Sequence, residues 1–215
     1  MNIIYKKAEP QELKGIPEVH MACFPSYFLT SLGPELLEKY YLEFYNESQL
    51  FIIACDSDRT AENKIIGFCM GYYKGSQARS VFESKYRTQL VRRLLGLCIR
   101  LNGPAITRCI SRVKALFHKN RGSVSQSHAD ADLLSICVMP EYRGQSGVAV
   151  GLITEFEKLM AEQKDGHITS CTLSVRSDNG RARALYEKCG FHVWRQTKEE
   201  LTYIKYYEDG PRKQE

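Results

Sequence analysis

Seventeen residues, Leu133-Leu-Ser-Ile-Cys-Val-Met-Pro-Glu-Tyr-Arg-Gly-Gln-Ser-Gly-Val-Ala149, constrain this chain more than any other stretch. An apolar strand, Leu133 to Val138, stops at Pro140. A turn carrying Gly144 and Gly147 then opens into a helix on which Val148, Leu152, Phe156 and Leu159 share one face. This construction is an anion site. Backbone N–H groups converge at the helix N-terminus, and the helix dipole adds positive potential there. The glycines allow close backbone approach, and Arg143 can add a charge-assisted bond to a phosphate.

The same outline describes several nucleotide folds, so absent motifs matter. There is no G-x-G-x-x-G in an early strand–helix unit and no G-x-x-x-x-G-K-[ST], which excludes dinucleotide-binding and P-loop chemistry. Gly144-Gln145-Ser146-Gly147 is one residue short of a nucleophile elbow. Asp56-Ser57-Asp58 begins like a calcium loop, but Ala61 stands at the required glycine.

Around this segment the chain alternates strands and helices. Ile3 to Lys7 is a strand, Pro10 opens a helix to about Phe24, and Gly33-Pro34 opens another through Phe44. Leu50 to Cys55 and Ile65 to Tyr73 are strands, and the polar stretch from Asp56 to Asn63 turns between them. After the central helix come a strand from Thr169 to Val175 and a helix capped by Asn179 that ends at Gly190. Phe191 to Arg195 and Leu201 to Tyr207 close the chain as strands. The class is α/β, or α+β, around one mixed sheet. With 215 residues the chain reads as one domain, 1–215, enlarged by an insertion at about 76–130.

A second motif follows the first by about thirty-five residues: Leu173-Ser-Val-Arg-Ser-Asp-Asn179-Gly-Arg-Ala182-Arg-Ala-Leu-Tyr186-Glu-Lys-Cys-Gly190-Phe191. Together, Val138-Met-Pro-Glu-Tyr-Arg-Gly144 and Asn179-x-x-Ala182-x-x-x-Tyr186-x-x-x-Gly190-Phe191 closely resemble the GNAT N-acetyltransferase superfamily. The resemblance covers Asp132 to Trp194, and the strand–helix–helix–strand–strand order through Tyr73 is compatible with it. It implies a mixed, mostly antiparallel central sheet flanked by helices, with splayed fourth and fifth strands. Acetyl-CoA would be the acyl donor, its pantetheine arm lying in the splay and pairing with backbone groups of Cys137 and Val138. The pyrophosphate would sit on Arg143, Gly144, Gln145, Ser146, Gly147, Val148 and Ala149. Two departures stand out: one extra residue between Gly144 and Gly147, and the 76–130 segment where the family has a short turn.

The resemblance also implies roles. Tyr186 would protonate the departing CoA thiolate, although as a core aromatic it would need no role. Asn179 would touch the pantetheine arm while capping its helix. Asp132, at the mouth of the strand before the turn, is a candidate general base or else a plain strand-end acid; Asp130 and Glu141 are weaker candidates. A backbone N–H near Val138 would polarise the thioester carbonyl. Aromatics of the N-terminal helices, Tyr27, Phe28, Tyr40 and Tyr41, serve either core or acceptor pocket.

The charge is uneven. Of a net +5, residues 76–120 contribute ten Lys or Arg against Glu83 alone, so this segment is +9 and the remainder −4. Apolar residues at Leu94, Leu97 and Leu101, then at Ile106, Ile110, Val113 and Phe117, describe a basic amphipathic helical hairpin. As a lid or anionic-acceptor site it points to a small acceptor amine such as an amino sugar or nucleotide-linked amino sugar; a protein or peptide acceptor and a non-catalytic acyl-CoA-binding module are the alternatives. It could instead rest on an anionic membrane surface. No aromatic interleaves the basic residues, which argues against nucleic acid. The eight cysteines and five histidines show no metal spacing. With no apolar signal segment, the expected location is cytoplasmic, with membrane association only through the hairpin.

Overall fold

Apolar runs broken by Gly, Pro and Asx turns produce seven strands, and their pairing sets the architecture. The computed structural model describes residues 2–58, 65–100, 129–144, 147–163 and 167–207, with side chains at 98–100 left aside. The second helix of the expected basic hairpin, and its Ser-rich return, lie outside the described residues. The elements run β1 (Ile3–Lys7), a 3-10 turn (Pro10–Gly15), α1 (Ile16–Cys23), α2 (Phe28–Ser31), α3 (Pro34–Ser48), β2 (Phe51–Asp56) and β3 (Ile65–Tyr73). They continue as α4 (Ala78–Lys85), α5 (Arg87–Arg100), β4 (Ala131–Val138), α6 (Val148–Gln163), β5 (Ser170–Arg176), α7 (Gly180–Lys188), β6 (His192–Gln196) and β7 (Glu200–Tyr206).

One sheet of order β1-β2-β3-β4-β5-β7-β6 results, antiparallel throughout except for β4–β5. The expected mixed, mostly antiparallel sheet is therefore observed. The helix expected from Pro10 breaks at Gly15 into a 3-10 turn and α1. Helix α4 stands outside the sequence expectation: its own N-cap, Gln77, makes no side-chain cap, and its first amides are capped from a distant helix.

Period-two alternation divides the sheet's two faces into two cores. On one face α6 lays Leu152, Ile153, Phe156 and Met160 over Leu133, Cys171 and Leu173, and Tyr186, Phe191 and Tyr203 extend this core. The other face carries α1 and α3 with an aromatic cluster of Tyr40, Tyr41, Phe44, Phe51, Phe68 and Phe82. Phe156 sits flat on β3 because Gly71 has no side chain: a Cβ there would stand 2.6 Å from Phe156 Cζ and 2.5 Å from the Asp132 carbonyl oxygen.

The described start of the insertion, residues 76–97, docks on the aromatic face. Glu47 of α3 accepts hydrogen bonds from Ser76 Oγ (2.7 Å) and from the N–H groups of Gln77 (2.8 Å) and Ala78 (2.6 Å), capping α4 from outside its own sequence. Glu43 takes Lys85 Nζ (2.7 Å) and Tyr86 Oη (3.0 Å), and Arg93 Nε of α5 reaches the Ser31 carbonyl at 3.0 Å. Part of the positive excess thus binds α3 and α2 rather than facing outward. No helix among the described residues is long and apolar enough to cross a membrane.

Candidate active site at the opening between β4 and β5

Two backbone irregularities build the site. Strands β4 and β5 pair only at Ala131↔Cys171, Asp132↔Thr172 and Leu133↔Leu173, and then part. The register between β3 and β4 shifts from Met70↔Ser135 to Gly71↔Leu133, so Leu134 is an extra residue on β4. A bulge of this kind bends its strand and re-aims the following residues. It stands where the parallel pairing ends, so the opening is a consequence of local sequence.

The ladder decides which backbone groups line the opening. Met139 N–H donates to Ile66 O at 2.8 Å, so by alternation the Cys137 amide also faces β3. That leaves the Val138 amide turned to the opening, with its carbonyl accepting from Arg143 Nε at 2.9 Å. Of the two residues expected to pair with a pantetheine arm, Val138 has its amide available and Cys137 has its committed to β3.

At the wide end, Pro140–Tyr142 forms a 3-10 turn and the chain swings through Gly144 (φ +78°) and Gly147 (φ +69°) into α6. Gln145 and Ser146 lie outside the described residues. Val148 is buried under the turn and Ala149 packs beside it, so the first turn of α6 presents its amides there. Arg143 is occupied differently from the sequence expectation. Besides Val138 O it reaches Cys23 O with Nη2 at 3.4 Å, tying the turn to α1. The cation over the turn is Arg181, whose Nη2 would lie 3.2 Å from a Cβ at Gly144. Sequence reading passed over Arg181; the available signal was an arginine two residues after the capping asparagine.

Helix α7 brings the remaining motif residues. Asn179 Oδ1 accepts from Ala182 N–H at 3.2 Å, the expected cap. Tyr186 lies on the α6 side among Phe191 and Tyr203, and burial pushes its phenol above its ordinary range. Its hydroxyl takes no hydrogen bond among the described residues, and it is not among the fully buried unpartnered atoms, a class that holds His20 Nε2 there. Tyr186 is thus a protonated phenol whose hydroxyl is unpartnered among the described residues.

Asp132 lies across the sheet, on the aromatic face, one residue before the strands part. It pairs with Tyr72 on β3 and with Thr172 on β5. Thr172 Oγ1 donates to its carboxylate at 2.9 Å, and the Tyr72 hydroxyl bonds it as well. Burial raises its pKa to about 6 against those two hydrogen bonds, which lower it. A carboxylate so placed is ionised, yet basic, near neutral pH. Tyr40, beside it, is pushed up to about 12 by burial.

The other candidates fall away from the opening. Asp130 Oδ2 accepts from Thr169 N–H (2.8 Å) and Oγ1 (2.7 Å), clamping the strand entrance. Glu141 is exposed on the turn. His20 is buried against the Tyr41 hydroxyl at 2.6 Å, and burial lowers its pKa to about 4. No group of potential metal ligands occurs among the described residues. Of the N-terminal aromatics, Tyr40 and Tyr41 are core. Tyr27 is exposed, with its ring 4.8 Å from that of Phe24.

Comparison with known proteins agrees with this geometry. Residues 107–191 match the acetyltransferase (GNAT) family model. Among solved structures, PaiA N-acetyltransferase from Thermoplasma acidophilum in complex with coenzyme A is 20% identical, covers 96% of this chain and 100% of its own, and has a TM-score of 0.52. NAA60 of Arabidopsis thaliana in complex with acetyl-CoA gives 16%, 96%, 100% and 0.56. The NatC complex bound to Gag peptide and CoA gives 16%, 97%, 100% and 0.57. No curated protein matches the sequence significantly.

Proposed function

We propose that the chain is an acetyltransferase of the GNAT superfamily, a reading supported by its fold and its 107–191 match, and that it transfers the acetyl group of acetyl-CoA to a small acceptor amine. The observation that carries this is the early parting of β4 from β5, followed by a positive-φ glycine turn that leads into α6.

The α6 N-terminus, Gly144, Gly147 and Arg181 hold the pyrophosphate, and Arg143 braces the turn from behind. The pantetheine arm adds along β4 at Val138. The acceptor enters from the aromatic face past Tyr27. Its neutral amine attacks the thioester carbonyl directly, and the Val138 amide stabilises the developing oxyanion. Asp132 accepts the amine proton, directly or through water. The CoA thiolate leaves and takes the Tyr186 proton. Tyr186 is protonated and Asp132 ionised at neutral pH, so each starts in the state its role requires.

A small acceptor, such as an amino sugar or a nucleotide-linked amino sugar, is supported by the seating of α4 and α5 on α3 and α2, on the face of the sheet that holds Asp132. A peptide acceptor is the second reading, favoured by the peptide-bound NatC neighbour. The one-domain organisation of 1–215, with 76–130 as an insertion serving the acceptor side, is part of this proposal.

The test is calorimetric titration of acetyl-CoA, with dephospho-CoA and NADH as comparisons. Acetyl-CoA binding without NADH binding is expected. Absence of binding by any CoA species would sink the assignment. An acceptor screen of amino sugars, nucleotide-linked amino sugars and peptides then separates the two readings.

A further inference from the structure

The chain entering the glycine turn is tied across the sheet to a strand that takes no part in the mechanism. Asp56 is the last residue of β2, and Tyr142 is the last residue of the 3-10 turn after β4. They stand 86 residues apart in sequence, and β3 lies between β2 and β4 in the sheet. Tyr142 Oη nevertheless donates to Asp56 Oδ2 at 2.7 Å, and both residues are buried.

Each end of this bond is fixed. Asp56 pairs with Ile3 of β1, and its Oδ1 accepts the Asp58 N–H at 3.1 Å, so its backbone and its carboxyl group are both held. Tyr142 N–H donates to Met139 O at 2.9 Å, and Met139 N–H donates to Ile66 O on β3 at 2.8 Å. The Tyr142 ring belongs to the α6-face core with Ile52, Ala54, Ile66 and Val148, and Val148 is the first residue of α6. The next residue, Arg143, bonds toward the opposite face, to Cys23 O on α1. Consecutive residues thus hold the chain from both sides of the sheet, and Gly144 follows them at φ +78°.

Packing alone would not require this bond. Phenylalanine fills nearly the same volume and buries no hydroxyl that needs a partner. What the hydroxyl adds is direction: a short bond to a fixed acceptor sets where the ring, and with it the backbone of Pro140–Arg143, stands relative to β2. Backbone amides receive an anion best when they are held in place beforehand.

We propose that Asp56 and Tyr142 are positioning residues of the donor site, and that their bond holds the chain entering the Gly144 turn in the shape that receives the pyrophosphate of acetyl-CoA. Asp56 acts through Tyr142, and Tyr142 acts through the backbone of the turn. The proposal rests on the acetyl-CoA reading of that turn.

The test titrates acetyl-CoA by calorimetry into wild type and variants, with thermal midpoints measured alongside. Tyr142→Phe should weaken acetyl-CoA binding roughly tenfold, the scale set by one buried acceptor left unsatisfied. Asp56→Ala should do the same. The two changes together should be no worse than either alone, because they remove one shared interaction. Asp56→Asn should keep near-wild-type affinity, since its amide can still accept from the Asp58 N–H and donate to Tyr142 Oη. Tyr73→Phe is the structural control. It also deletes a tyrosine hydrogen bond to the α6 region, to Gln163 Oε1 at 2.8 Å, but at the C-terminal end of that helix. It should lower the thermal midpoint and leave acetyl-CoA affinity unchanged.

Unchanged acetyl-CoA affinity in Tyr142→Phe overturns the proposal, and this variant decides even where Asp56→Ala fails to fold. Additive losses in the double variant overturn it too. Equal affinity losses in Tyr142→Phe and Tyr73→Phe also overturn it, by reducing the bond to general stability. Wild type that binds no CoA species removes the acetyl-CoA reading itself, and the positioning role with it.

Discussion

The two faces of the sheet are built by different rules. On the α6 face, the proposed site is backbone-made: a glycine turn, a helix N-terminus, a strand amide at Val138 and a capped helix that brings Tyr186. On the α1–α3 face, it is made by side-chain packing: an aromatic cluster, a buried carboxylate at Asp132, and an insertion seated on Glu43 and Glu47. Backbone devices demand particular residues at fixed spacing and therefore show as motifs. Packed surfaces accept many sequences of suitable volume and do not. The donor side can thus be named from sequence, whereas the acceptor side needs the structure.

The largest predicted effects pit the two faces against each other at the reacting centre. Asp132→Asn should lower kcat by about 10²-fold or more, the usual contribution of a positioned base. In the parent, kcat/KM should rise with pH through about 6. The same change should stabilise the fold. The Asp132 carboxyl has its pKa raised from 3.8 to about 6, so the native state holds that proton more tightly than the unfolded chain. Stability from this group is full below about pH 4 and declines as pH rises to about 6, a cost on the order of 3 kcal/mol at neutrality. Asparagine can still accept from Thr172 and Tyr72, so the thermal midpoint at pH 8 should rise by several degrees. Tyr186→Phe should also lower kcat by about 10²-fold, while leaving both acetyl-CoA affinity and the pH-6 limb in place. An unchanged rate in either variant removes that residue from the reaction.

The next effect tests whether the α6 face tolerates any bulk under its helix. Gly71→Ala places a methyl against Phe156 and the Asp132 carbonyl, two parts that cannot both yield. A loss of about 1–3 kcal/mol is expected in denaturant melts. Because Asp132 is the carbonyl owner, activity should fall as well. Wild-type stability would show that α6 can lift off β3.

Legibility follows the same division. β1 and β3 were read to the residue, because Ile3–Lys7 and Ile65–Tyr73 are bounded by turn residues and carry unbroken strand patterning. The helix at Asn179 was read through its cap. Helix α4 was missed because its N-terminal amides are satisfied by Glu47, thirty residues away, and local capping rules do not see such a partner. The Leu134 bulge was invisible for a related reason: an apolar run reads alike with or without one extra residue. Arg143 and Arg181 exchanged apparent roles. Sequence places Arg143 nearest the turn, but its guanidinium folds back on Val138 and Cys23, and Arg181 arrives over Gly144 from another helix.

That exchange gives a smaller effect on the α6 face. Arg181→Ala should weaken acetyl-CoA binding by roughly tenfold, the scale of one lost charge-assisted hydrogen bond to a phosphate. The loss should shrink as salt is raised, because an exposed guanidinium is screened. Arg143→Ala should instead show in thermal stability as well as affinity, since it removes a brace between the turn and α1. Equal, salt-sensitive affinity losses with no change in stability would return Arg143 to the phosphate.

The smallest effect belongs to the other face and asks what the insertion does. Glu47→Ala strips α4 of its cap, leaving the Gln77 amide to water and the Ala78 amide to Ser76 Oγ at 3.3 Å. Loss of a cap costs about 1 kcal/mol. Helix α4 has only eight residues, too short to hold itself without tertiary support. Faster amide exchange should therefore appear within Ala78–Lys85 and in its contact with Phe82, while protection in β4 and α6 stays as it was. If the insertion encloses the acceptor, KM for that acceptor rises and acetyl-CoA affinity does not. If KM is unmoved while exchange quickens, α4 is a brace for the aromatic core through Phe82 and Tyr40.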